Sequence, residues 1–300
     1  MESGVQSFFT FIIVVQFIIG NLSNGFIVLI NFIVWVNKRK LSSVDQILML
    51  LAISRIGLIW EILVSWFQSA YLFPQQQQLL EFSVYSWILL NHFSLWLATV
   101  LSIFYLLKIA SFSSPIFLYL KWRVKKVILI ILLGSLVLLF LNGMQISIKF
   151  EDWKHGYERN TTWNFTAREN IMVAKLILFN MTMFSLTPYI LTLIFSLLLI
   201  SSLWKHLQKM KLNSKQHRDP KTEAHINALK IVVSFLLLYT SYFLSLLVSW
   251  LSYIHNIELI QLFSATTGLI YPSSHSLVLI LGNSKLRQAF LCILKVWDKR

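Results

Sequence analysis

The chain has 300 residues, 57% of them hydrophobic and only 13% charged, with a formal net charge of +14 and a mean hydropathy of +0.69. A soluble domain carries about 25% charged residues, so much of this chain must face something other than water. The positive balance does not argue for nucleic acid, because the basic residues fall in short bands between apolar runs, and the single cysteine, Cys292, excludes a disulfide within the chain.

Seven apolar segments are each long enough to span a bilayer: about 8–36, 46–70, 82–107, 127–148, 174–204, 230–254 and 259–281. The first has no basic region before it and is longer than the roughly 7–15-residue apolar run of a cleaved signal peptide, so it is expected to stay as a span. The bands between the segments alternate in charge. Lys38-Arg39-Lys40, the group from Lys108 to Lys126, the group from Lys205 to Lys230 and the tail from Lys285 to Arg300 hold 20 of the 26 basic residues. The alternate bands hold only Lys149, Lys154, Arg159, Arg168 and Lys175. Positive residues collect in cytoplasmic loops, which predicts the N-terminus outside and the C-terminus inside, as an odd number of spans requires. The expected fold is therefore all-α: a seven-transmembrane helix bundle forming one domain over 1–300, with no linker, second domain or strong internal repeat.

The third segment organises the rest. Phe82 to Leu107 contains no charged side chain, and at about 1.5 Å per residue its 26 residues reach about 39 Å, against a bilayer core of about 30 Å. Trp87 and Asn91 are one helical turn apart on its outer half and share a face. Tyr105 lies two heptads below Asn91 on nearly the same face, after a drift of about 20° per heptad. One helix can thus touch a ligand outside and a partner inside. The same residues also fit plain core packing.

Between spans, Gln75 to Gln78 is a short polar run without further meaning, and the largest outer segment, about 149–173, is read as a loop. It contains the acceptor sequons Asn160-Thr-Thr and Asn164-Phe-Thr, expected glycosylation sites that would place it outside the cytosol. Sequon matches at Asn21 and Asn180 fall within spans and are read as chance. After Gly282, apolar residues at 286, 289, 290, 293, 294 and 297 recur at helical spacing beside Lys285, Arg287 and Lys295. This predicts a short amphipathic helix, about 284–297, on the anionic inner leaflet. Cys292 on it is either a palmitoylation site or an unmodified thiol.

Within the spans, Arg55 lies ten positions beyond Asp45, about 15 Å into the membrane by helical rise. A charge there costs at least about 2.5 kcal/mol and should face the bundle interior with a partner. Glu61 is rotated by about 240° on the same helix and is badly placed to pair, so Asn24 of the first span is the expected partner. Arg55 is read either as a tie between helices or as part of a two-state switch. Pro188 and Pro272 favour kinks in the fifth and seventh spans. Trp66 and Tyr242 lie at a depth suited to an apolar ligand site with few polar groups.

Enzyme chemistry finds no support: His92, His225 and His275 stand on different segments without metal-ligand spacing, and no HExxH, GxSxG or phosphate loop is present. Neither cofactor nor metal is expected. Glu61 is the only acid inside a span, which leaves a transporter or channel without the intramembrane acids or paired repeats it would want. A seven-helix receptor for an endogenous ligand stays open.

Six stretches carry a family resemblance, in order along nearly the whole chain: GNLSNGF from Gly20, LAISR ending at Arg55, NHFSLWLAT from Asn91, FYLLKIA from Phe104, LWKHLQKM from Leu203 and HSLVLILGNSKL from His275. The chain resembles the type 2 (bitter) taste receptors, a family of seven-helix G-protein-coupled receptors. The resemblance implies a plasma-membrane receptor for bitter small molecules that couples to a heterotrimeric G protein with a gustducin-type α subunit. It implies agonist contacts at Trp87 and Asn91, with Trp66 and Tyr242 on neighbouring helices. The family lacks the Asp-Arg-Tyr signature at the inner end of the third helix, and here Phe104, Tyr105 and Lys108 occupy that region. Tyr105, Lys108, His206 and Lys209 are the expected G-protein-facing residues. Asn24, Arg55, Pro188 and His275 are the expected structural or switch residues. Asn160 matches the family's glycosylation site; Asn164 does not clearly belong to the pattern. One departure matters: some relatives carry a glutamate six residues before the position of Tyr271, and this chain has Ala265, which argues against capture of cationic alkaloids there. Ser111, in place of a common asparagine, is a minor change.

Overall fold

A computed structural model of the chain describes residues 2–37, 40–71, 77–159, 163–213, 220–255 and 258–297. The described residues form helices and short connections without strands: α1 (Glu2–Val36), α2 (Ser43–Tyr71), α3 (Gln77–Ile109), α4 (Pro115–Trp122), α5 (Val124–Arg159), α6 (Trp163–Asn213), α7 (Pro220–His255), α8 (Glu258–Gly282) and α9 (Ser284–Trp297). Six of these are long and apolar enough to cross a membrane, and the pair α8–α9, bent by 93° at the break between them, brings the number to seven. The chain is a multi-pass membrane protein.

The helices close into a ring. α1 packs on α2 and α8, α2 on α3, α3 on α5 and α6, α6 on α7, and α7 on α8. α3 runs through the middle: 78% of its span is buried, against 11% for α5. On α5, Leu129, Ile130, Leu133, Val137 and Phe140 are exposed, the outward apolar surface that a lipid-facing helix presents. Gly20 sets the closest approach at the α1 seam. A Cβ there would lie 2.6 Å from Ile59 Cδ1 and 2.8 Å from Ser273 Oγ, so α1 lies against α2 and α8 with no room for a side chain.

Two ends are distinguished below: the amino end, where the chain begins, and the carboxy end, where α9 lies. At the carboxy end, Asn283 caps α9: its Oδ1 accepts from the Lys285 N–H at 3.0 Å and the Leu286 N–H at 3.3 Å. This cap replaces helix continuation and turns the chain. Lys285 Nζ then donates to Asn31 Oδ1 at 2.8 Å and pairs with Asp45 Oδ2 at 3.2 Å, tying α9 to α1 and α2. At the amino end, Lys154 Nζ pairs with Glu81 Oε1 at 2.9 Å, joining α5 to α3, and this contact holds the lysine above its ordinary pKa.

Three expectations need correction. The segment 149–173 is not one loop, because α5 continues to Arg159 and α6 begins at Trp163. A drop in hydropathy marks where the membrane ends, not where backbone hydrogen bonding stops. The basic stretch between α3 and α5 holds a further helix, α4, which Pro115 starts from its first position and Arg123 ends. Ile116, Tyr119 and Trp122 on α4 are exposed. Finally, Arg55 and Asn24 do not pair directly, for the reason given below. Of the Gln75–Gln78 run, Gln77 and Gln78 open α3 and the first two residues lie outside the described residues.

Candidate ligand-binding site

Asn91 joins three helices. The Tyr242 hydroxyl of α7 donates to Asn91 Oδ1 at 2.5 Å, and Asn91 Nδ2 donates to Ser185 Oγ of α6 at 3.4 Å. Asn91 is 4% exposed and Tyr242 3%. A carboxamide offers two donors and two acceptor lone pairs, so one of each remains for a ligand. The long Ser185 contact is the easier to exchange. Trp87, one turn nearer the amino end, is half-buried against a cluster of Ile88, Ile146, Phe150, Ile177 and Met181. Ala265 is exposed beside Ser264, whose hydroxyl accepts from Ser249 at 2.7 Å. The side chain of Trp66 lies outside the described residues. Glu61 stands on the neighbouring seam and accepts from Ser83 at 2.5 Å and Ser86 at 2.7 Å, both on α3. Its partners are on another helix, as its rotation away from Arg55 required.

A second layer connects this site to the middle of the bundle. The Tyr242 ring packs 5.3 Å from Tyr271, which packs 5.2 Å from Tyr239 and 5.6 Å from His275. Arg55 Cζ lies 4.8 Å over the Tyr271 ring. Arg55 Nη2 meets His275 Nδ1 at 2.5 Å, and Nη1 donates to Ser276 Oγ at 3.5 Å. The Ser276 hydroxyl donates to Asn24 Oδ1 at 2.5 Å. Asn24 spends its own amide on the carbonyls of Gly20 at 2.8 Å and Pro272 at 3.1 Å. Asn24 Oδ1 takes the Ser276 hydroxyl and Arg55 Nη1 donates to the same Ser276, so the serine stands between them. Asn24, Arg55 and His275 are therefore one polar knot, with Ser276 as the member sequence reading missed. Pro188 is buried, and its carbonyl accepts from Thr99 at 3.2 Å, while Thr99 and Thr192 hydroxyls meet at 2.7 Å. That joint fixes α6 to α3 at the proline.

The knot borders an open cleft on its carboxy side, lined among others by Ser102, Tyr105, Ser196, Phe235, His275 and Leu279. Phe235 and His275 rings are 4.6 Å apart on its wall. The lining is mostly apolar. Lys108 is exposed outside it, with Nζ 5.9 Å from the Phe104 ring. His206, also exposed, lies 4.6 Å from the His225 ring of α7. Of the expected carboxy-end residues, Tyr105 enters the cleft while Lys108 and His206 stay outside its lining. Asn160 and the side chains of Asn164 and Lys209 lie outside the described residues.

Residues 1–298 match the family described as Taste receptor protein (TAS2R). Taste receptor type 2 member 13 of Pongo pygmaeus is 62% identical over the full length of both chains, and that of Homo sapiens is 61% identical with the same coverage. Taste receptor type 2 member 102 of Mus musculus is 57% identical over 98% of this chain and 89% of its own.

Proposed function

From the premise that the chain belongs to the taste receptor type 2 family of bitter-taste G-protein-coupled receptors, we propose that it binds a small, mostly apolar bitter agonist beside Trp87, Asn91 and Tyr242. Trp66 of α2 is a further agonist contact. Ala265 supplies no carboxylate, so a cationic alkaloid finds no charge partner at that position. The amino end and the Asn160 sequon face outside, the carboxy end faces the cytosol, and the chain acts as one receptor domain. The observation that carries this reading is the Asn91–Tyr242 hydrogen bond: an agonist that competes for it acts on a ring packed 5.3 Å from Tyr271 and, through it, on the wall of the cleft.

Agonist then selects an arrangement with the halves of α6 and α7 nearest α9 moved apart. Moving a population from 1:99 to 99:1 takes about 5.5 kcal/mol of differential affinity, so compounds with little preference activate only partly. The widened cleft receives the C-terminal helix of a gustducin-type α subunit. Tyr105 provides its floor, Lys108 and His206 flank its mouth, and Lys209 is a further G-protein contact.

The test is calcium imaging of cells carrying this chain and a taste-type G protein, screened against a broad bitter panel. At least one compound should give a response that depends on both components. Silence across the panel with receptor at the surface contradicts the reading. In the same cells Lys108→Ala, an exposed change, should leave agonist Kd within about twofold and lower G-protein turnover several-fold. Equal turnover removes Lys108 from the transducer contact.

A further inference from the structure

α5 shows where the bilayer ends. Its exposed apolar stripe runs from Leu129 through Leu133, Val137 and Phe140 to Ile148. At about 1.5 Å per residue that is about 29 Å, against a bilayer core of about 30 Å. Lys126 begins the same stripe, since positions 126, 130, 133, 137 and 140 are spaced four and three residues apart in alternation. Lys125, four residues before Leu129, lies beside it. Both lysines are exposed and stand about one turn beyond the hydrocarbon edge, at headgroup level.

α4 ends next to them. Phe117 and Leu120 pack inward against the core, while Ile116, Tyr119 and Trp122, three residues apart, are exposed. Trp122 is 89% exposed, and among the described residues no large apolar side chain is more so. Trp and Tyr beside cations at the edge of a span match the membrane's headgroup zone, where an amphipathic ring is at home.

The cations of this corner carry no counter-charge. Lys121 Nζ donates to the Ala110 carbonyl at 3.1 Å. Arg123 lies 4.7 Å over the Tyr119 ring, and among the described residues no carboxylate meets Arg123, Lys125 or Lys126. The sequence supplies none nearby: from Phe82 to Phe150 there is no Asp or Glu. A soluble protein could cover α4, but it could not reach lysines that face lipid on α5. An anionic headgroup reaches both.

We propose that Arg123, Lys125 and Lys126, with Tyr119 and Trp122 as interfacial anchors, form a binding site for an anionic phospholipid. It lies in the leaflet at the carboxy end, which is the cytosolic leaflet on the reading above. The bound lipid ties α4 to the membrane and so steadies the connection between α3 and α5.

The single cysteine permits a site-specific probe. The full-length chain with Cys292→Ser and Ile116→Cys carries one nitroxide on the α4 stripe and is placed in nanodiscs of phosphatidylcholine with or without phosphatidylserine. Phosphatidylserine should lower the probe's accessibility to an aqueous nickel chelate several-fold. That difference should vanish in about 1 M salt, where the Debye length is about 3 Å. Neutralising Arg123→Gln, Lys125→Gln and Lys126→Gln together should abolish it as well. Each basic residue at an anionic surface contributes about 1 kcal/mol, about fivefold in the ratio of bound to free. Equal accessibility in the two lipids overturns the proposal, as does a difference that the triple variant keeps. Protection that appears only on adding a G-protein heterotrimer assigns the stripe to a protein and overturns it too. Should the triple variant fail to fold, the salt series on the labelled parent decides, and a difference indifferent to salt overturns the site. Both faces of a nanodisc carry the same lipid and no agonist is present, so failure here leaves the receptor reading and its orientation standing.

Discussion

Asn91→Ala should raise agonist EC50 about tenfold or more while surface receptor stays near the wild-type level. The carboxamide does two things at once. It offers the agonist a donor and an acceptor, and it satisfies the Tyr242 hydroxyl, which is buried and bonded to it at 2.5 Å. Leaving a buried hydroxyl without a partner costs about 1–3 kcal/mol, and each 1.4 kcal/mol is a factor of ten in binding. Truncation leaves the Tyr242 ring in place 5.3 Å from Tyr271, so the fold has reason to survive. Tyr242→Phe is the matched control. It removes the other half of the same bond and keeps the ring contact, so the double variant should cost less than the sum of the two singles. Strict additivity, or an unchanged EC50 for Asn91→Ala, moves the agonist elsewhere.

Arg55→Ala should reduce surface receptor several-fold, and Arg55→Lys should restore little of it. The guanidinium ties α2 to two consecutive residues of α8, His275 and Ser276, and stacks on Tyr271. Hydrogen bonds to a charged group contribute about 1.5–3 kcal/mol each, and a desolvated cation–π contact contributes about 2 kcal/mol. Removing the charge recovers an insertion penalty of about 2.5–3.5 kcal/mol, so losses of about 5 kcal/mol or more exceed the gain by about 1.5 kcal/mol or more. A change of that size alters cellular abundance several-fold. Lysine fails for geometric reasons: a point ammonium does not reproduce a planar fork that reaches two acceptors and a ring face together. Flow cytometry of surface against total receptor measures this, and wild-type surface levels for Arg55→Ala would dismiss the knot as a structural element.

Much of the bundle was legible because membrane-spanning helices write themselves as uncharged runs. Phe82 to Leu107 told its own length and depth, and Arg55 declared itself by its cost in that setting. What the runs do not encode is where helices end in water. The lengthened α5 and α6 and the short α4 therefore escaped notice, although Pro115 was a visible start signal. Pairing between helices was hidden for a different reason. Each span is apolar nearly all round, so no stripe announces which face meets a neighbour. Asn91 and Tyr242 were both singled out, but their bond needed the ring of helices to close. Tyr239, Tyr271 and Ser276 gave no local signal, being ordinary residues of apolar segments. Serines at 83 and 86 acquire meaning only once Glu61 lies against them.

The central claim is that events at the two ends of α3 bias one shared arrangement of the core. Linkage makes such coupling reciprocal: if agonist favours the transducer, the transducer must favour agonist by the same factor, commonly 5–150-fold. Agonist affinity of the purified receptor, measured with and without a nucleotide-free heterotrimer of the inhibitory class, reads that factor directly. Binding should tighten at least about fivefold with the heterotrimer and relax when a GTP analogue releases it. Affinity indifferent to the heterotrimer, with complex formation demonstrated, would mean that the two ends are not coupled.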